Sequence, residues 1–269
     1  METRTFSKMV SIITPAYNSS RHLAGTIESV LAQTYGDWEM IIADDASADP
    51  TRSIARRYSK EDERIRLLVL PQHQGPAEAR NAAIDAARGR YIAFLDSDDL
   101  WHPQKLEKQI RFMEQHGHAF TFTSYQRIRG RQAREMNVVH APRQINYRAY
   151  LRNTVIGTLT VVIDRHQTGP IRMPNIRSSH DMALWCKLLK NGFTAYGLQE
   201  TLAFYRVMAG SHTGRKIRAA KDVWKVYRNI EKIRYVPSLF NFVFYACNAA
   251  RRRMVWVPFK RNCDGGKDL

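Results

Sequence analysis

The chain has 269 residues, enough for one large domain or for one domain with an appendage. Hydrophobic residues make up 44 %, which supports a sizeable core, and 42 Lys and Arg against 25 Asp and Glu leave a net charge of +17, which favours nucleic acid, anionic lipid or phosphorylated substrates as partners. The three cysteines, Cys186, Cys247 and Cys263, are far apart and form no CxxC pair, which argues against a zinc cluster or a disulfide framework.

The chain opens METRTFSKMVSII, without the longer apolar core of a secretory signal, so an intracellular, reduced protein is expected. Residues 10–14 (VSIIT) predict a first strand. Helical spacing follows over 22–32, with Leu23, Ile27, Val30 and Leu31 on one face. Residues 38–43 predict a second strand, 51–60 a basic helix and 65–70 a third strand. Residues 76–87 predict an alanine-rich helix opened by Pro76. A fourth strand is expected over 91–95, a helix over 103–116 and a fifth strand over 120–125. Strands alternating with helices in this way predict βαβ units and a mainly parallel sheet. After about residue 130 the rhythm breaks. The basic stretch 127–134 reads as a loop, 158–163 as one more strand, 182–190 as a helix and 216–253 as a helical, basic, aromatic-rich region.

In open parallel sheets, ligands bind beyond the carboxyl ends of the strands. The first predicted strand runs into Thr14-Pro15-Ala16-Tyr17-Asn18, the second into Asp44-Asp45 and the fourth into Asp96-Ser97-Asp98-Asp99. Carboxylates gathered on one edge repel, and partial burial makes this worse. A divalent cation relieves the conflict, and oxygen donors select magnesium, manganese or calcium over zinc. Asp96 and Asp98 are two apart, so they project to the same side if the strand geometry persists. The alternative is that both clusters cap the helices that follow them. The first turn reads TPAYNSS, and neither GxGxxG nor GxxxxGKS/T occurs, which disfavours a Rossmann dinucleotide enzyme and a P-loop NTPase. The phosphates of a bound nucleotide would instead meet a metal and basic side chains. Arg80 in GPAEARN is a candidate, with an exposed helix position as the alternative.

In this order and spacing, VSIITPAYN, EMIIADDASAD and GPAEARNAAIDAARGRYIAFLDSDDLWHPQKLEKQ resemble the family-2 glycosyltransferases over roughly residues 8–115. HDMALWCKLLKNG and FYRVMAGSHTGRK continue the likeness more weakly. The resemblance implies an α/β GT-A fold: a Rossmann-like, mostly parallel sheet flanked by helices. Its nucleotide-binding half would cover about 8–125 and its acceptor half about 126–215, in a domain of 1–215 followed by a basic helical region, 216–269. It implies a nucleotide-sugar donor, UDP before other carriers, a divalent manganese or magnesium ion, and inversion at the anomeric carbon. The implied acceptor is a glycan or lipid-linked saccharide used in building bacterial surface polysaccharides.

Carried over position by position, the resemblance sets Thr14, Pro15 and Tyr17 against the nucleotide base and ribose, and Asp45, with Asp44 beside it, on the nucleobase or ribose. Arg80 and Ser97 would lie close to the donor. Asp96 and Asp98 would form the DxD pair that holds the ribose and the metal, with Asp99 adjacent. Asp181 in SHDMALWCKL matches the base that takes the acceptor proton, with a helix N-cap as the alternative. Many relatives have Glu where His180 stands, which makes His180 a rival as base or orienter. Many carry a His where Met208 stands; His212 is a nearby candidate substitute for metal binding, with a solvent-exposed loop histidine as the alternative, and Arg206, Arg215 and Lys216 could meet phosphates or be surface charge. Trp101, directly after the acids, is a candidate for stacking on the sugar, whereas Trp185 has core spacing with Leu188 and Leu189.

The basic C-terminal region is the remaining feature. Its apolar stretch 236–250 contains Pro237, Asn241 and Asn248 and falls short of the ~20 residues that span a bilayer. Basic residues beside aromatics suit an interfacial helix on an anionic membrane surface. Packing on the catalytic domain or on a second subunit is the alternative. A nucleic-acid-binding protein would also explain the charge, but no RNP-type motif, zinc-finger spacing or helix-turn-helix signal is present. No nucleic acid is therefore expected as a partner, and the expected location is cytoplasmic, peripheral on the inner face of the cell membrane.

Overall fold

A computed structural model describes residues 8–130, 132–176, 178–207 and 212–254, without the side chains of 212–217 and 252–254. β1 (Val10–Ala16) and β2 (Trp38–Asp44) are buried at every position, as strands covered on both faces must be. α1 (Leu23–Leu31) connects them, α2 (Thr51–Glu61) leads to β3 (Ile65–Val69), and α3 (Pro76–Asp85) leads to β4 (Tyr91–Phe94). β1 pairs in parallel with both β2 and β4, and β2 with β3. The chain thus builds outward from β1 to β3, then returns to the other side of β1. The crevice between the ends of β1 and β4 is a topological switch point, where sheets of this kind bind ligands.

β5 (Leu100–Trp101), α4 (Lys105–His116), β6 (Phe120–Arg129) and β7 (Arg134–Val139) follow, then β8 (Gln144–Ile145) and α5 (Tyr147–Arg152). A 3₁₀ turn (Thr158–Thr160), β9 (Val162–Asp164) and the short α6 (Arg165–Thr168) lead to α7 (His180–Lys190) and β10 (Ala195–Val207). The strand order is β3-β2-β1-β4-β9-β6-β10-β5, with β7 on β6 and β8 on β10. β10 runs parallel to β6, and β9 joins the two halves by antiparallel pairing with β4 and β6. This is the expected α/β sheet, parallel over most of its ladder.

The stretch 127–134 is a hairpin and not the expected loop. β6 continues to Arg129 and turns at Gly130, whose φ is +72°. Buried Gln126 and Ile128 alternate with Arg127 and Arg129, a period-2 pattern hidden by the charges. The strand expected over 158–163 is shorter, because 158–160 coil into the 3₁₀ turn. α7 begins two residues before the expected start, with Ser179 as its N-cap. Asp181 therefore lies inside the first turn and is not the N-cap.

Two apolar cores cover the two faces of the sheet. One gathers Phe94, Phe120 and Trp185 with residues of α3, α5 and α7; the other gathers residues of α1, α2 and α4 against β1 and β2. Trp185 is fully buried and meets Phe94 edge-on at 5.5 Å, as its spacing predicts. α8 (His212–Lys225), a π turn (Val226–Ile230) and α9 (Tyr235–Met254) form the helical C-terminal region. Among the described residues, no helix is long and apolar enough to cross a membrane.

Candidate active site

A cleft of about 560 Å³ opens at the switch point. β1 supplies Pro15 and Ala16 to its lining, with Tyr17 and Ser19 just beyond the strand; the segment after β4 supplies Asp96, Ser97 and Asp98. Asp45 follows β2, and Arg80 comes from α3. Thr158, Ser178, Ser179, His180 and Asp181 arrive from the second half of the chain. The fold thus brings Asp45, Asp96 and Asp98, from the two acidic clusters, and the candidate base Asp181 to one cavity.

Arg80 is buried, contrary to the exposed-helix alternative. Its Nη2 donates a short hydrogen bond to Asp96 Oδ1, and its Nη1 lies 2.6 Å from His180 Nε2. A guanidinium has only donors, so Nε2 accepts and the imidazole is neutral with its proton on Nδ1. Burial, then the Arg80 charge, holds the His180 pKa below its ordinary value. The Nε2 lone pair of His180 thus faces the Arg80 guanidinium.

The acids after β4 occupy different environments. Burial, then the Asp96 charge, pushes the Asp98 carboxyl up to about 6. Asp99 points inward: Oδ1 accepts from Arg206 N at 2.8 Å, Oδ2 has no partner among the described residues, and burial drives its pKa well above the carboxylate range. Arg206 is buried, donating from Nε to the Asp98 carbonyl at 2.7 Å and from Nη1 to the Gly130 carbonyl. It is neither surface charge nor turned to an open phosphate site. Ser97 Oγ donates to Ser19 Oγ at 2.8 Å, tying this segment to the one after β1.

The Asp181 carboxylate is held at both oxygens. Thr158 Oγ1 donates to Oδ2 at 2.6 Å, and Met182 N donates to Oδ1 at 2.8 Å. Asp45 organises the loop ahead of α3: Gln74 N donates to Oδ1 and Gly75 N to Oδ2, both at 2.8 Å, and His73 Nδ1 lies 2.8 Å from Oδ2. The His73 ring stacks on Tyr17 at 4.0 Å, making a half-exposed aromatic platform at the mouth of the cleft.

Three expected residues do not line the cleft. Thr14 is fully buried within β1. Asp44 is fully buried and takes a hydrogen bond from Arg52 Nε at 2.9 Å, which anchors α2 behind the site. Trp101 belongs to the core: it is 3 % exposed, and its Nε1 donates to the Leu159 carbonyl at 2.8 Å. The two-residue β5 turns it inward against β10, so the expectation of sugar stacking does not hold. His212, Arg215 and Lys216 open α8, and their side chains, with residue 208, lie outside the described residues. His73, Thr158 and Ser178 were not singled out from sequence. His73 precedes a glycine-proline helix start, a weak signal; Thr158 carries none, since only the 3₁₀ turn brings it to Asp181.

Among the described residues no three His, Cys, Asp or Glu side chains form a ready metal cage. Asp96 and Asp98 nevertheless offer hard oxygen donors on the cleft, and the Asp98 carboxyl, raised by its burial and then by the Asp96 charge, lies beside a like charge. One or two carboxylates, completed by water and phosphate oxygens, are the usual setting of magnesium-like ions. The residues fit such an ion.

Residues 11–170 match the family described as Glycosyl transferase family 2. The chain is 49 % identical over 246 residues to the putative teichuronic acid biosynthesis glycosyltransferase TuaG of Bacillus subtilis (strain 168), covering 91 % of this chain and 98 % of that one. It is 39 % identical over 219 residues to WfgD of Escherichia coli, described as a UDP-Glc:alpha-D-GlcNAc-diphosphoundecaprenol beta-1,3-glucosyltransferase, covering 81 % and 85 %. The mannosyltransferase PcManGT of Pyrobaculum calidifontis, solved with GDP-Man and Mn2+, superposes with a TM-score of 0.66 at 16 % identity, over 95 % of this chain and 77 % of that one. That likeness speaks to the fold, and the sequence matches speak to kinship and enzyme class: this chain belongs to glycosyl transferase family 2.

Proposed function

We propose that this glycosyltransferase moves a sugar from a UDP-sugar to a hydroxyl of a lipid-linked saccharide, by one inverting displacement, in the assembly of a bacterial surface polysaccharide. The observation that carries the reading is the shared cleft. Asp96, Asp98 and Arg80 stand in the same cavity as Asp181, whose carboxylate is fixed by Thr158 and Met182. The UDP donor and the diphosphate-linked acceptor are argued from WfgD, which is described with both.

In this reading the first half of the chain, about 8–125, takes the nucleotide and the second, about 126–215, the acceptor. Pro15, Tyr17 and the stacked His73 face the base and ribose, while Asp45 holds the loop carrying His73. Asp98 and Asp96 hold a divalent manganese or magnesium ion, which when bound supplies Lewis acidity to the leaving diphosphate. Arg80 adds fixed positive charge beside it. Asp181 takes the acceptor hydroxyl proton as the new C1–O bond forms on the face opposite the leaving group. The old C1–O bond breaks with its electron pair passing to the nucleoside diphosphate. An α-linked donor then gives a β-linked product.

The test is melting temperature against a panel of UDP-, GDP- and dTDP-sugars, with and without manganese, because a ligand bound to the native state raises it by mass action. A metal-dependent rise with one UDP-sugar, lost in Asp98→Ala, is expected. No rise with any nucleotide, beside a strong salt-sensitive rise with DNA or RNA, overturns the reading.

A further inference from the structure

The helices after β10 concentrate the charge imbalance of the chain. Residues 212–254 hold eleven Lys or Arg and two acids, Asp222 and Glu231. Both acids are already engaged: Asp222 lies 3.9 Å from Lys225, and Glu231 accepts from Tyr147 at 2.6 Å and from Lys190 at 3.3 Å. Among the described residues, the positive charge of this region therefore meets few acids of its own segment.

α9 is amphipathic in the reverse sense. Its protein-facing side includes Ser238, Asn241 and Asn248: the first two are buried, Asn241 Oδ1 accepts from Arg152 Nε at 3.3 Å, and Asn248 Nδ2 donates to the Arg152 carbonyl at 3.0 Å. Its outward side carries Tyr235, Val236, Leu239, Phe240, Val243 and Phe244, each between 42 % and 76 % exposed. These positions recur at i, i+4 and i+8 in two adjacent rows, one continuous stripe. A helix that merely packed on a soluble domain would bury that stripe. Here Asn241 and Asn248 are fastened to α5 and Phe242 and Tyr245 pack inward on the core, while the six residues of the stripe face out.

Basic residues fence the stripe. Lys232 and Arg234 are exposed before it and Arg251 beyond it, and the Arg152 guanidinium lies 5.0 Å from the Phe240 ring centre and 5.5 Å from that of Phe244. We propose that the outward face of α9 docks on an anionic lipid bilayer, with the aromatic and aliphatic stripe in the headgroup boundary and the flanking cations on lipid phosphates. A second copy of the chain matches the face poorly. Both ends of α9 are basic, so parallel and antiparallel pairing alike would bring like charges together. The same helical region also borders the active site: a cavity of about 180 Å³, lined by Ile176, Asp222, Lys225 and Asn229 among others, shares Ser178 with the main cleft. The docking proposal does not rest on the sugar-transfer reading. It is tested without nucleotide or acceptor, so the two fail separately.

The full chain is sedimented with vesicles of phosphatidylcholine alone and of phosphatidylcholine with phosphatidylglycerol. It is expected to pellet with the anionic vesicles, to stay in solution with the neutral ones, and to be released by salt. The double variant Phe240→Glu, Val243→Glu should lower the partition coefficient at least about tenfold while the chain still unfolds cooperatively, since both side chains are about half exposed and a carboxylate at position 240 can still meet Arg152. Lys232→Gln with Arg234→Gln should lower it about fivefold for each charge removed. Wild-type protein that stays in solution with anionic vesicles, or a Phe240→Glu, Val243→Glu variant that binds them as wild type does, overturns the proposal. So does a concentration-dependent dimer that this variant abolishes while vesicles bind nothing, which would give the face to a second copy.

Discussion

Asp181→Asn separates the proposed base from the scaffold around it. In the folded chain the Asp181 carboxylate accepts from Thr158 Oγ1 at 2.6 Å and from Met182 N at 2.8 Å. Asparagine has the same shape and keeps an oxygen for Met182. Its amide nitrogen replaces the other oxygen and donates to Thr158, whose hydroxyl turns to accept. Exchanging one hydrogen bond for another changes stability by no more than about 1 kcal/mol. The lost proton acceptor is a larger matter. A positioned general base contributes about 10²–10⁴ in rate, or about 3–5 kcal/mol at ~1.36 kcal/mol per tenfold. The expected variant therefore melts close to wild type, binds UDP with unchanged affinity, and transfers sugar two to four orders of magnitude more slowly. Turnover is read by transfer of labelled sugar to a diphospholipid-linked acceptor, and UDP affinity by calorimetry. Turnover within about threefold of wild type would refute the assignment of the base. A parallel fall in UDP affinity would instead move Asp181 to the donor site.

Three further outcomes follow from the packing. Lys105 is fully buried over the Trp101 ring, donates to Gln109 at 2.6 Å, and has its pKa lowered by burial from 10.5 to about 7. The unfolded chain holds that proton up to higher pH, so the lysine's penalty on stability grows as pH falls from 10.5 towards 7 and is complete below 7, at roughly 5 kcal/mol; Lys105→Met should gain most over wild type at pH 6 and least above pH 10, and equal urea-unfolding differences at both would sink the idea. Gly89→Ala should destabilise by about 1–3 kcal/mol or more, because a Cβ there would lie 2.5 Å from the Met9 carbonyl oxygen and 2.7 Å from Ser11 N; a denaturation midpoint like that of wild type would contradict this. Asp45→Ala removes the acceptor of Gln74 N and Gly75 N, so about 1.5–3 kcal/mol of stability and most UDP affinity should be lost together, whereas intact UDP binding measured by calorimetry would deny the loop its place in the nucleotide site.

The first half of the fold was legible because its strands are short unbroken apolar runs and its helices have an apolar face, so periodicity and burial agree. The second half hides its strands. β10 contains Gly197, Gln199 and Glu200, and its pairing with β6 shifts register between Leu198 and Thr201 and again before Ala203, which destroys the alternation a sequence reading needs. The acidic cluster after β4 stood out because carboxylates so rarely end a buried strand. The Arg80–His180 contact did not, since 100 residues separate the partners and only the folded chain brings the start of α7 to the Arg80 side chain of α3. Trp101 misled for the same reason: position beside the acids suggested the cleft, while the pairing of β5 with β10 turned the indole into the core.

The acids after β4 now read as one device with parts that differ. Asp96 is answered by Arg80. Asp99 is driven inward, where Arg206 N caps one oxygen and burial favours the protonated form. Asp98, between them, keeps a face on the cleft with its carboxyl raised to about 6. A single solvated aspartate would hold a metal diphosphate weakly, because water competes for both partners. Asp98 is itself largely desolvated and lies beside the Asp96 charge, so in the proposed function a cation would gain more there than at an exposed carboxylate. Arg206 completes the arrangement from the far half of the chain. By binding the Asp98 and Gly130 carbonyls and offering its own N–H to Asp99, it fastens β10 to the acidic segment, so the geometry of these carboxylates depends on a strand from the second half of the chain.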